Sequence, residues 1–375
     1  MASKPVMIFH VPFRLNPEAK SASGIRPVKM RRAFEDAGFE VREVSGRHPE
    51  RRAKIRQLKQ QIADGLKVDF VYSEAATTPT GLGEPVTLAT SVSRDVRFLQ
   101  YCQRSGIPVG LFYRDVYWRF PIYDELVKRP ISTVLRALYR HDLRGYRRAK
   151  ATIYLPSIVM SKWVPIVSPD RFAELPPGCT IRDAADPTEQ STTDQPSKLS
   201  LLYVGGLGNN YRMHETVRQV AGRADVEFVI CTREAEWEQR EPEYRDVFRP
   251  NIRVVHASGD ELDDLYAEAD VCMLAVEPIS YWEFAVPMKM LEYTGYGKPI
   301  IASKNTYSAT FVERNDLGWV VNYGSAELPE LLDRLTAEPD LVSEQSAHVR
   351  EVRELHTWEA RARQVARDLS IGEII

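Results

Sequence analysis

Short apolar runs recur along the chain at spacings too long for hairpins, and this constrains the fold more than any other feature. Residues 6–10, 39–44, 68–72, 108–113 and 151–155 read as buried strands, as do 199–204, 226–230, 252–255, 271–276 and 299–302. Helical patterns fall between them. One runs through Val28, Arg31 and Phe34 and stops at Ala37-Gly38; others carry His214, Val217 and Val220, or cover 260–269 and 288–296. Strands joined by crossovers of this length pair in parallel, with right-handed connections. The alternation therefore predicts an α/β chain whose parallel sheets are covered by helices.

The alternation is interrupted once. From Pro176 to Ser197 the chain holds Pro176-Pro177-Gly178 and then polar residues with almost nothing apolar, the composition of a linker. The 375 residues leave room for a domain on each side, placed at 1–178 and 198–357 with 179–197 between them. Charge divides at nearly the same place. Residues 1–180 carry 30 Lys and Arg against 17 Asp and Glu, and the remainder carries 20 against 35. A basic half suits an anionic partner such as a lipid surface or a phosphate-bearing acceptor. Nucleic acid is not expected, because no recognition module accompanies the charge. Cys102, Cys179, Cys231 and Cys272 lie far apart and no histidines pair at helical spacing, so neither disulfides nor a metal site is expected. No apolar run approaches the ~20 residues of a membrane span. The opening residues are too short an apolar stretch for a secretory leader, so a cytoplasmic protein is expected.

The most specific stretch is Pro287-Met288-Lys289-Met290-Leu291-Glu292-Tyr293, followed by Gly297-Lys298-Pro299-Ile300-Ile301. Lys289 and Glu292 are three apart at the start of a helix, so they share one face. A helix N-terminus attracts phosphate, and the lysine adds a full charge there. A plain exposed ion pair is the simpler alternative. Upstream, Val204-Gly205-Gly206-Leu207-Gly208 follows a strand, and its glycines let backbone amides approach a phosphate. This is not a dinucleotide fingerprint. Tyr211 stands where the third glycine would be, and Arg233 rather than an acid ends the next strand.

Residues 113–120 also follow a strand, which puts Arg114, Asp115, Tyr117 and Trp118 at a sheet's carboxyl edge. Asp115 is a candidate general base, and the rings of Tyr117 and Trp118 could stack on a ligand. An ordinary surface loop with aromatics in the core is the alternative. Arg136, Arg140, Arg144 and Arg147 form one stripe of a helix flanked by Leu135, Leu138, Tyr139, Leu143 and Tyr146. Such a helix can lie on an anionic bilayer, or it can simply present a solvated face. Arg51, Arg52, Lys54, Arg56 and Lys59 add to the same positive balance.

Together these motifs resemble the GT-B glycosyltransferases, particularly the group 1, family 4-like enzymes. The likeness runs over residues 199–369, through Tyr203-Val204-Gly205-Gly206, Leu265-Tyr266-Ala267-Glu268-Ala269-Asp270-Val271 and His356-Thr357-Trp358-Glu359. It reaches the first half through Leu175-Pro176-Pro177-Gly178. The resemblance implies two Rossmann-like domains facing across a cleft, the first binding an acceptor and the second a nucleotide-sugar donor. It also implies that a final helix, 358–375, packs back on the first domain. Lys289 and Arg212 would neutralise the leaving diphosphate. Gly205, Gly206, Arg233, Glu283, Pro287, Lys289 and Glu292 would bind the donor, Glu292 through two ribose hydroxyls. Gly24 and Arg26 resemble the family's glycine loop on the acceptor side, where His10, Arg114, Tyr117 and Trp118 would join them. Under the same resemblance Asp115 becomes the base for an acceptor hydroxyl, and the rings of Tyr117 and Trp118 the platform for a sugar.

Two motifs depart from that pattern. The family places Arg after the first loop glycine and Lys five residues later, where this chain has Gly206 and Tyr211, and the pair Glu283 and Glu292 is spaced one residue too widely. Retaining and inverting chemistry both stay open. The expected activity is metal-independent transfer of a hexosyl or related group from a UDP- or GDP-sugar, with no cofactor beyond that co-substrate. The expected acceptor is a glycan or a lipid-linked glycan of bacterial surface or extracellular polysaccharide or glycolipid synthesis, met at the inner face of the membrane. The rival readings are a GT-B nucleotide-sugar epimerase and a catalytically silent GT-B partner or glycan-binding protein.

Overall fold

Strands that are apolar on both faces are buried on both faces. In the computed structural model, which describes residues 4–19, 21–82, 93–183, 198–208 and 210–370, they build two sheets of six parallel strands each. The chain divides into two compact units, Met1–Gly178 with Trp358–Ile375, and Cys179–Thr357.

The first unit contains β1 (Val6–His10), β2 (Glu40–Val44), β3 (Phe70–Glu74), β4 (Val109–Phe112), β5 (Thr152–Leu155) and β6 (Phe172–Glu174). Their order is β2-β1-β3-β4-β5-β6, so the winding reverses between β1 and β3. β3 starts two residues later than the apolar pattern suggests, because Asp69 is exposed. β6 escapes sequence reading because its three residues are only half-buried. The helix Trp358–Leu369 packs on the helix Ala22–Asp36 within this unit and buries Trp358, Ala362, Val365, Ala366 and Leu369. Gly110 in β4 makes room for it, since a Cβ there would lie 2.7 Å from Leu369 Cδ1.

The helix Ala22–Asp36 begins before the expected glycine loop ends, so Gly24 lies inside its first turn rather than in a loop. Pro27 sits within this helix and has no N–H for the Ser23 carbonyl. The Arg114 guanidinium takes that place, donating to Ser23 O at 2.5 Å.

The second unit contains β7 (Leu199–Val204), β8 (Val226–Cys231), β9 (Ile252–Val255), β10 (Val271–Leu274), β11 (Ile300–Ser303) and β12 (Gly318–Val321). The order β12-β11-β10-β7-β8-β9 reverses between β7 and β10. Both units are thus Rossmann-like, and such sheets bind ligands beyond the carboxyl ends of the strands at the reversal. Of the expected linker, residues 184–197 lie outside the described residues. Residues 179–183 belong to the second unit instead. The Cys179 amide donates to His356 O at 2.8 Å, and Arg182 pairs with Asp263 at 2.9 Å.

The arginine stripe is also corrected. In the helix Ile131–Arg148, Arg136 donates to the Trp118 carbonyl at 3.0 Å and pairs with Asp124 at 2.7 Å, and Arg140 lies 5.5 Å from the Trp118 ring centre. Only Arg144 and Arg147 of the four are exposed, because Trp118 and Asp124 cover the first half of the helix. Three of the five large apolar side chains exposed among the described residues gather at the start of this helix: Leu126, Ile131 and Val134, at 67%, 60% and 58%. Arg51 leaves the surface too, buried against Asp95 at 2.9 Å. No described helix is long and apolar enough to cross a membrane.

Candidate functional site

β7 ends at Val204, and the chain turns at Gly205 with φ +145°, a conformation that favours glycine. A Cβ at Gly205 would also lie 2.2 Å from Lys289 Nζ. The absent side chain is therefore what lets Lys289 extend beneath the loop. Lys289 belongs to the first turn of the helix Met288–Gly295, capped by Pro287 as the residue before it, and is 9% exposed. Its ammonium donates to Tyr203 Oη at 2.6 Å and lies 4.1 and 3.8 Å from the ring centres of Tyr203 and Tyr211. Tyr203 Oη donates in turn to the Gly206 carbonyl at 2.5 Å. Burial pulls the lysine down to about 7, while the carboxylates of Glu292 and Glu236 pull the other way.

Lys289 and Glu292 do not share an environment. From Lys289 to Gly295 every residue is buried except Glu292, which is exposed, and no ion pair joins the two. The glycine loop is held against the segment that follows β10. The Glu277 amide donates to Arg212 O at 2.8 Å, Trp282 Nε1 donates to Asn210 O at 2.5 Å, and the Tyr211 and Trp282 rings lie 4.6 Å apart. Asn209 lies outside the described residues. Arg212 is half exposed, 3.9 Å from Glu277. Arg233 is exposed as the N-cap of the helix Glu234–Tyr244, close to the loop through the hydrogen bond from Gly205 N to Cys231 O at 2.8 Å. Glu283 is exposed in a 3-10 turn, Ser280–Glu283. So Lys289 meets Gly205 directly and Gly206 through Tyr203, while Arg212 and Arg233 are exposed on the segments that follow β7 and β8.

One residue here was invisible in the sequence. Glu236, in the first turn of the helix after β8, reaches the loop, and a Cβ at Gly206 would lie 2.7 Å from its Oε1. Only the pairing of β7 with β8 brings it there.

At the reversal in the first unit, several expected acceptor contacts turn inward. His10 is 1% exposed, with Nδ1 hydrogen-bonded to Ser73 at 2.8 Å and Nε2 to Asp95 at 3.0 Å. Both ring nitrogens are committed, so His10 is part of a buried network. Trp118 is 2% exposed, stacks on Tyr139 at 5.3 Å and donates from Nε1 to Tyr113 Oη at 2.8 Å. It packs the core and cannot stack on a sugar. Arg26 is 4% exposed, with its guanidinium 3.5 Å from the Phe112 ring centre and 3.3 Å from Glu74. It lies below the surface rather than facing an acceptor.

Arg114, Asp115 and Tyr117 remain partly accessible. Asp115 accepts the Tyr117 N–H at 2.8 Å, which starts the short turn after β4. Arg114 lines a cavity of about 430 Å³ together with Arg14, Ser21, Ser23 and Gly24. Another cavity, about 330 Å³, opens at the amino-terminal edge of β7, away from either reversal.

Residues 198–337 match the family described as Glycosyl transferases group 1. No curated protein matches the sequence. Among solved structures, the sucrose-phosphate synthase of Thermosynechococcus elongatus aligns with a TM-score of 0.61 at 15% identity, over 97% of this chain and 98% of that one. The Anabaena protein HepE, in complex with UDP and glucose, gives 0.60 at 11% identity, over 97% and 99%. WaaG, a glycosyltransferase involved in lipopolysaccharide biosynthesis, gives 0.54 at 15%, over 98% and 100%. At these identities the likeness carries the fold alone. Residues 198–337 are thus similar to the group 1 glycosyltransferases, and the chain shares with these solved structures the GT-B fold of two Rossmann-like domains.

Proposed function

We propose that the protein transfers a sugar from a nucleotide-diphosphate donor to an acceptor hydroxyl. The observation that carries this reading is the lysine beneath the glycine loop. Departure of the diphosphate concentrates negative charge, which must be met by positive groups fixed beforehand. Lys289 and the loop amides supply them from the second unit, with the exposed Arg212 and Arg233 standing in for the family's loop cations. Because burial disfavours the Lys289 charge in the free protein, an incoming diphosphate draws a proton onto it. Glu292, exposed one turn further on, accepts hydrogen bonds from ribose hydroxyls. Asp115 is the general base, its turn holding the carboxylate at the edge of the first sheet.

HepE was solved with UDP and glucose, which makes a UDP-sugar the first donor to test. WaaG acts in lipopolysaccharide biosynthesis, and a surface glycan or its lipid-linked precursor is the proposed acceptor class. A membrane-borne acceptor suits the corner of Leu126, Ile131 and Val134, flanked by the exposed Lys128 and Arg129. This corner, not the arginine stripe, is the proposed contact with an anionic inner leaflet.

The test is thermal unfolding with UDP, GDP, ADP and TDP and their common sugars. Saturation to 100 times the dissociation constant adds about 2.7 kcal/mol, a shift of a few degrees. The shift should appear with one nucleotide and shrink in Lys289→Met. No shift with any nucleotide would overturn the reading. Binding without turnover would favour a silent binding protein, and an altered sugar without acceptor would favour an epimerase.

A further inference from the structure

At the carboxyl end of β3 one carboxylate serves two guanidinium groups. Glu74 is fully buried; Arg26 Nε lies 3.3 Å and Arg114 Nη2 3.4 Å from its two oxygens, and Tyr72 Oη donates to it at 3.0 Å. Within the cluster two guanidinium groups face one carboxylate, largely out of water where unmatched charge is costly, and Asp115 is a further carboxylate near Arg114. Among the described residues, Arg26 Nη1 and Arg114 Nε, both buried, have no hydrogen-bond partner. Buried donors without partners are rare enough to require a reason.

Arg114 also forms one wall of the 430 Å³ cavity, which Arg14, Ser21, Ser23, Thr77 and Thr78 complete. The carboxylate beside Arg14, Glu50, is already paired with it at 2.9 Å. The helix Ala22–Asp36 starts at the same wall with no acidic residue in its first turn and no side-chain cap, so its positive end is uncompensated as well.

We infer that this cavity binds an anionic group, a phosphate or a carboxylate, carried by the acceptor. The assignment to the acceptor rests on the transferase reading above. A guanidinium matches either anion with paired hydrogen bonds, and the cavity holds one such group with part of a sugar or polyol behind it.

The test titrates the full chain with inorganic phosphate at constant ionic strength, followed by thermal unfolding, beside a parallel titration with UDP and GDP. Arg114→Gln and Arg14→Gln should each weaken phosphate at least fivefold and leave nucleotide affinity within twofold. Lys289→Met should do the reverse. Arg14 is exposed, so its variant carries the test if Arg114→Gln fails to fold. Glycerol 3-phosphate against glycerol, and glucuronate against glucose, separate a phosphate from a carboxylate. Phosphate binding untouched by both arginine variants, or abolished by Lys289→Met, would overturn the inference. Nucleotide binding without binding of phosphate, glycerol 3-phosphate or glucuronate sinks this inference alone. Phosphate binding of the expected pattern without any nucleotide binding sinks its assignment to a transferase acceptor.

Discussion

A lysine that meets two aromatic rings and a phenol in place of a carboxylate has an unusual pH profile. Burial holds Lys289 at about 7, against an ordinary 10.5. Between those values the unfolded chain binds the proton and the folded chain does not, so stability rises with pH across that window. Lys289→Met keeps the bulk without the charge. It should unfold at a higher temperature than the parent chain at pH 6, with the gap closing by pH 10; an equal gap at both pH values would count against the buried charge. Donor affinity should run the other way. It should fall above about pH 7, by up to ~10-fold per unit, because the proton must be recaptured on binding. Glu236, beside Gly206, would oppose the diphosphate of the proposed donor. Glu236→Gln should tighten nucleoside diphosphates about fivefold, the order of 1 kcal/mol expected for one charge at ~4 Å in water, read by calorimetric titration. A weaker affinity would instead give Glu236 a contact with the donor. Lys289 was legible as a residue of interest from its motif. Its burial was not, because the space beneath Gly205 exists only once β7 and the helix Met288–Gly295 pack together.

At the scale of elements, the helix Ile131–Arg148 shows where periodicity misleads. Spacings of four, four and three align its arginines, yet the first two are claimed by Asp124 and Trp118 from the segment before it. Helical period reports which residues share a face, and only packing decides which face meets solvent. From Arg119 to Lys150 nine basic residues accompany three acidic ones, the excess that the proposed contact with anionic lipid requires. The triple change Leu126→Glu, Ile131→Glu and Val134→Glu should abolish co-sedimentation with vesicles of phosphatidylcholine containing about 30% phosphatidylglycerol, where each cation contributes ~1 kcal/mol near the surface. The parent chain should bind these and not pure phosphatidylcholine. Equal binding by the triple variant would remove the corner as the contact. These side chains are exposed, so the unfolding temperature should hardly move.

At the scale of the molecule, the last helix completes the first unit although the whole second unit intervenes in sequence. Leu369 fills the space that Gly110 leaves in β4, and Arg361 and Gln364 donate to the carbonyls of Pro177 and Glu174. Leu369→Ala should lower the stability of the first unit by about 2–4 kcal/mol, seen in denaturant unfolding, and leave nucleotide affinity unchanged. A matching loss of nucleotide binding would show that the donor site depends on that unit's core. The chemical sequence alone determined the alternation of strands and helices, the two-sheet class and the motif around Lys289, because these follow from local apolar runs, helix caps and glycines. Tertiary packing alone decided that His10, Arg26 and Trp118 turn inward, that Glu236 reaches the loop, and that two arginines share Glu74. Those facts depend on which strands become neighbours, and the order β2-β1-β3-β4 brings together residues tens of positions apart in the chain.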